Sequence, residues 1–68
     1  MMSMTLKAAR VNKGLTQEEA AKLLEISVDT LRNYEKQKSF PDVPILKKIE
    51  EVYGVSYDDL IFFSKEIR

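Results

Sequence analysis

Hydrophobic residues recur at helical spacing in the middle of the chain, over residues 17–36 (QEEAAKLLEISVDTLRNYEK). Ala20 and Leu24 lie one helical turn apart, and Leu31 and Tyr34 form a second pair with i, i+3 spacing. The pattern predicts two short helices, joined by a tight turn, that bury one face of each helix against the other.

The rest of the chain carries the same kind of pattern, bounded by residues that start and stop helices. Thr16 with Glu19 three positions later predicts a capping box, and Ser27 and Asp42 are suited to cap the next two helices. Gly14 and Gly54 are suited to end helices. We therefore predict an all-α fold, a compact single domain of five helices without strands. The predicted helices span residues 4–13, 17–24, 28–36, 43–53 and 57–63.

Composition narrows the classes of function. The 68 residues include no cysteine and no histidine, which argues against zinc ligation and against the usual nucleophile–base pairs of enzymes. We expect no enzyme activity, no catalytic residue, no cofactor, no metal and no small-molecule ligand. The sequence lacks the long apolar run of a signal peptide or membrane span, so we expect a cytoplasmic protein that contacts no membrane.

Charge is balanced, with eleven basic and eleven acidic residues. Such a balance is not typical of a nucleic-acid binder, and ordinary solvated helix faces are an alternative explanation of the charges. The basic residues nevertheless cluster in mid-chain: Arg32, Lys36, Lys38, Lys47 and Lys48. Their distribution therefore keeps a nucleic-acid partner open.

Three segments together resemble one protein family. They are GLTQEEAA at residues 14–21, TLRNYEK at residues 30–36, and the stretch from Leu46 to Leu60. The chain resembles the phage-repressor-like helix-turn-helix proteins (the Cro and repressor proteins and their bacterial relatives) over nearly its whole length. It departs from that pattern where Glu25 and Gln37 stand at common glycine positions. We expect positive φ at both, which costs a non-glycine residue roughly 1 kcal/mol.

The resemblance implies a role for the predicted third helix in the major groove of DNA. Val28, Asp29 and Asn33 match base-reading positions of the family. The amide of Asn33 can pair with adenine, and Val28 can pack on a thymine methyl group. Asp29 can accept from a cytosine amine, but it equally suits the positive end of its own helix.

The resemblance also implies contacts with DNA phosphates. Gln17 matches a glutamine that contacts phosphate in the family, although a plain solvent-facing glutamine is the alternative. The expected phosphate contacts are Gln17, Ser27, Thr30, Arg32, Lys36 and Lys38. Arg10 and Glu35 match positions where the family often has a buried arginine–glutamate pair, and we expect them to be structural.

The function favoured by these residues is a sequence-specific regulator of transcription, expected to be a repressor, that binds double-stranded DNA as a two-fold homodimer. Phe62 or Phe63 with Ile67 are candidates for the dimer surface, and simple closure of the core is the alternative role for these residues. The rival hypothesis is a protein-interaction module, such as an antirepressor or an antitoxin component, that keeps the fold but binds a protein partner.

Overall fold

The computed structural model describes residues 4–61. Their elements follow in chain order: β1 (Met4–Thr5), α1 (Leu6–Asn12), α2 (Gln17–Leu24), α3 (Val28–Glu35), α4 (Val43–Tyr53), a one-turn 3-10 helix (Tyr57–Asp59) and β2 (Leu60–Ile61). The predicted all-α class is confirmed. None of the helices in this part of the chain is long and apolar enough to cross a membrane.

The core lies where α2 packs on both α3 and α4. Leu24, Leu31 and Ile49 are fully buried at its centre, one from each of these three helices. Ala20 and Ala21 are also buried on α2, and their short side chains allow the neighbouring helices to approach closely. The inward face of α2 therefore contacts both α3 and α4, and this packing determines which side of α3 faces solvent.

The two ends of the described chain differ from the prediction. Met4–Thr5 is a short strand rather than the start of the first helix, and Thr5 caps α1 by accepting a hydrogen bond from the backbone N–H of Ala8. β1 pairs in parallel with β2, with Met4 opposite Leu60 and Thr5 opposite Ile61. The expectation that no strand forms is therefore wrong.

The prediction of a fifth helix is also wrong for residues 57–61, which are the part of that predicted helix that the structure describes. The chain makes one 3-10 turn and then becomes extended at Leu60, whose φ and ψ are −101° and 143°. Leu60 is buried in the core at the end of this turn. The apolar spacing of Tyr57, Leu60 and Ile61 fits a helix, but so short a run fits a strand equally well, and periodicity does not separate them. Phe62 and Phe63 lie outside the described residues.

Candidate nucleic-acid interface

Local hydrogen bonds set the start of α2. The Thr16 hydroxyl accepts from the Glu19 N–H at 3.1 Å, and the Glu19 carboxylate accepts from the Thr16 N–H at 2.9 Å. Both bonds of the predicted capping box are thus present, which confirms it. They fix the first turn of α2, where Gln17 lies.

The turn between α2 and α3 is tight because Glu25 takes the left-handed conformation, with φ 62° and ψ 40°. The Ile26 N–H then donates to the carbonyl of Ala21 at 3.0 Å, which satisfies a carbonyl at the end of α2. Gln37, directly after α3, has φ 63°. The predicted positive φ at Glu25 and Gln37 is confirmed.

Ser27 begins α3. Its hydroxyl accepts from the Thr30 N–H at 3.1 Å and donates to the Thr30 hydroxyl at 2.9 Å. Because Leu31 faces the core, the opposite side of α3 faces solvent. On that side Asp29, Arg32, Asn33 and Lys36 are exposed and Thr30 is partly exposed, whereas the partly exposed Val28 packs against the core.

Arg10 and Glu35 meet below this surface. Arg10 Nε lies 2.7 Å from Glu35 Oε2, and Arg10 Nη2 lies 3.2 Å from Glu35 Oε1. Their side chains are only 8% and 5% exposed, and Arg10 Nη1 also donates to the Leu15 carbonyl at 2.9 Å. The hydrogen bond to Glu35 raises the pKa of Arg10, while burial acts in the opposite direction. The pair joins α1 to the end of α3.

The Gln17 side chain joins the buried pair to the exposed surface. Its Nε2 donates to Glu35 Oε1 at 3.0 Å, and its Oε1 accepts from Arg32 Nε at 3.3 Å. Arg32 Nη1 donates in turn to Asp29 Oδ1 at 3.2 Å. One continuous network therefore runs from Arg10 through Glu35, Gln17 and Arg32 to Asp29, and we call it the side-chain relay.

The structure separates the predicted site residues into groups. Gln17, Arg32 and Asp29 are brought together by the side-chain relay, whereas Asn33 is exposed beside them. Lys36 and Lys38 are exposed after Arg32, and the Lys38 N–H donates to the Asn33 carbonyl at 2.9 Å. Phe62, Phe63 and Ile67, the candidates for a dimer surface, lie outside the described residues.

Sequence reasoning missed several long-range contacts, and two of them bear on the site. The bond from Gln17 to Glu35 joins residues 18 positions apart, and no local pattern signals it. Lys48 Nζ lies 2.6 Å from Glu25 Oε1, so this lysine of the mid-chain basic cluster is engaged in an ion pair. The hydrogen bond from Lys48 lowers the pKa of Glu25. Within residues 4–61, no group of acidic side chains is arranged to hold a metal ion.

Comparison with known families agrees with this geometry. A helix-turn-helix family model matches residues 6–60, a span that includes α2, the left-handed turn and α3. The chain belongs to this helix-turn-helix family. The predicted family membership is confirmed.

Relatives with the same kind of domain are described as regulators of transcription. The chain is 45% identical over 56 residues to the HTH-type transcriptional regulator ImmR of Bacillus subtilis, covering 82% of this chain and 44% of ImmR. It is 34% identical over 56 residues to the HTH-type transcriptional activator BcrR of Enterococcus faecalis, covering 82% of this chain and 28% of BcrR.

A third relative is close to this chain in length. It is an uncharacterized HTH-type transcriptional regulator of Methanocaldococcus jannaschii, 34% identical over 65 residues, which cover 96% of this chain and 98% of the relative. This chain therefore spans less than half the length of the first two relatives and nearly all of the third. No solved structure matches the chain. The helix-turn-helix domain is thus one of the type found in transcriptional regulators.

Proposed function

We propose that this helix-turn-helix domain binds double-stranded DNA in a sequence-specific manner and regulates transcription, as a repressor. α3 enters the major groove, and Val28, Asp29 and Asn33 lie against the base edges. No catalysis, cofactor or small-molecule ligand is part of this proposal, and a cytoplasmic location is part of it.

The observation that carries the proposal is the solvent-facing side of α3. Asn33 is exposed there, and its amide has the donor and acceptor that adenine N7 and N6 require. Val28 is partly exposed near the start of α3, where its methyl groups suit a thymine methyl, and it also packs against the core. Asn33 lies opposite the fully buried Leu31, so substitution of Asn33 leaves the core intact.

Phosphate contacts frame this reading face in the proposal. The side chains of this set share hydrogen-bond donors and lie at the start of α3, along it or just after its end: Ser27, Thr30, Arg32, Lys36 and Lys38. Gln17, at the start of α2, belongs to the same surface through its hydrogen bond to Arg32. Lys36 and Lys38 are exposed, so they can approach a DNA backbone without breaking any contact of the core.

A dimer is part of the proposal because one small module makes few base contacts. Two copies related by a two-fold axis bring their α3 helices into successive major grooves, about 34 Å apart. The preferred site then has two related half-sites. Phe62, Phe63 and Ile67 remain the candidates for the surface between the copies.

Asn33→Ala tests the reading face directly. A preferred duplex is first selected from random sequences, and binding to it and to a scrambled duplex is then measured by fluorescence anisotropy at several salt concentrations. Asn33→Ala should cost about 1–3 kcal/mol on the preferred duplex and relax preference at one base position per half-site. Lys38→Ala should weaken binding to both duplexes alike and flatten the salt dependence by about one unit of slope.

Lys7→Ala is the matched control for Lys38→Ala, because it also removes one lysine charge, here from an exposed position on α1. Lys7 belongs neither to the reading face nor to the proposed phosphate contacts, so its removal should change both affinities and the salt dependence much less than Lys38→Ala does. If Asn33→Ala weakens both duplexes equally, Asn33 does not read bases.

A second candidate function is favoured by the net charge of zero, which is unusual for a nucleic-acid binder. In that case the same surface binds a protein partner, as in an antirepressor or an antitoxin component. Failure of the wild-type protein to bind any duplex at low salt refutes the DNA proposal and favours this candidate.

A further inference from the structure

Donors and acceptors alternate strictly along the side-chain relay. The Glu35 carboxylate can only accept hydrogen bonds, so the Gln17 group that faces it at 3.0 Å must be the amide nitrogen. The Gln17 oxygen must then point away from Glu35. It points to Arg32, whose guanidinium can only donate. The buried carboxylate therefore determines which way the exposed end of Gln17 is turned.

Arg32 is held from two sides as a result. Gln17 accepts from its Nε, and Asp29 accepts from one hydrogen of its Nη1. A guanidinium has five N–H donors, so three remain for an external ligand. The Arg32 side chain is still 44% exposed, so those donors can reach an anion at the surface.

We propose that Gln17 is a positioning residue that acts on the phosphate backbone through Arg32 rather than by its own contact. This proposal rests on the proposed function and specifies how the phosphate-binding part of the surface is built. A free arginine side chain loses much of its conformational freedom when it binds a phosphate. With Gln17 and Asp29 holding the guanidinium, part of that entropy is lost on folding, and less is lost on binding.

A double-mutant cycle tests whether Gln17 acts through Arg32. Gln17→Met keeps the length of the side chain but removes both hydrogen-bonding groups, and Glu35 retains both of its bonds to Arg10. Gln17→Met is made in the wild type, in Arg32→Met and in Lys38→Met. Lys38→Met is the matched background, because Lys38 is an exposed cation outside the side-chain relay.

Affinity for the preferred duplex should fall about fivefold on Gln17→Met in the wild type, the size expected for the ordering of one long side chain. The same loss should occur in the Lys38→Met background. In the Arg32→Met background the loss should be less than about twofold. A similar loss in all three backgrounds overturns the proposal, because Gln17 then contacts DNA itself or acts only on the fold. No loss in the wild type also overturns it.

NMR relaxation provides a measurement that needs no DNA. The order parameter of the Arg32 Nε–H bond should fall in Gln17→Met and stay unchanged in Lys38→Met, while thermal melts verify that both variants are folded. An unchanged Arg32 order parameter in Gln17→Met overturns the proposal. If the wild type binds no duplex at low salt, the proposed function fails instead, and the NMR result still shows whether Gln17 positions Arg32.

Discussion

The strongest dependence of stability on a single side chain should be found at Glu35. Glu35→Ala removes two of the three hydrogen bonds that the Arg10 side chain makes and leaves that side chain only the bond to the Leu15 carbonyl. It also removes the acceptor of Gln17. Since the Arg10 side chain is 8% exposed, water does not replace these bonds fully. An unpaired charge is left in the interior.

The cost of that substitution should be about 3–5 kcal/mol, the range found when one partner of a buried ion pair is removed. A chain of this length has a total stability of about 3–10 kcal/mol. Glu35→Ala should therefore lose a large part of this stability, and all of it if the total lies near the lower end of that range. Arg10→Met combined with Glu35→Leu should cost much less, because no charge is stranded.

Urea denaturation followed by far-ultraviolet circular dichroism measures Glu35→Ala and the four corners of a double-mutant cycle, which are the wild type, Arg10→Met, Glu35→Leu and the double variant. The coupling energy between Arg10 and Glu35 should be about 2 kcal/mol or more. Asp29→Ala is the matched control, because it breaks an ion pair with Arg32 whose side chains are 44% and 87% exposed. It should cost less than about 0.5 kcal/mol. If the two single substitutions at Arg10 and Glu35 are additive, the reasoning about the buried pair is refuted.

Three further predictions concern stability alone. Gln37→Gly should raise the free energy of unfolding by up to about 1 kcal/mol, because glycine relieves the strain of the positive φ of 63°. Glu25→Gly should raise it less, because this substitution also removes the ion pair with Lys48. A clear loss of stability of Gln37→Gly in thermal melts would contradict this prediction. The pKa of Glu25 is lowered in the folded state, so the stability that its bond to Lys48 adds is present at neutral pH and lost on acidification. The difference in unfolding free energy between the wild type and Lys48→Met should therefore shrink as the pH falls below the ordinary carboxyl pKa of 4.5. A difference that does not change with pH would refute this prediction. Burial raises the pKa of Tyr53 to about 12, so stability should fall as the pH rises above 10, where unfolded tyrosine ionises. Tyr53→Phe should lack that loss and should be as stable as the wild type or up to about 1 kcal/mol more stable at neutral pH, because the buried hydroxyl has no hydrogen-bond partner among the described residues.

Features that depend on neighbours a few residues apart, or on family resemblance, can be predicted from the sequence of this chain. The caps at Thr16, Ser27 and Asp42 form as predicted, because each joins a side chain to a backbone N–H three positions later. The left-handed conformations of Glu25 and Gln37 were likewise predictable, because family members often have glycine at both places. Together these local signals determine the lengths of α2, α3 and α4 and the side of α3 that faces solvent.

Contacts between distant parts of the chain could not be predicted in this way, because they form only when the helices pack together. The spacing of apolar residues did not reveal that Leu60 pairs in a strand with Met4, because a run of two or three residues fits either helix or strand. The family resemblance predicted the pair of Arg10 and Glu35, but nothing in the sequence linked Gln17 to that pair. The hydrogen bond from Gln17 to Glu35 joins α2 to the end of α3 across 18 residues. The direction of a side-chain amide depends on the charges that folding places around it, and those charges come from other helices.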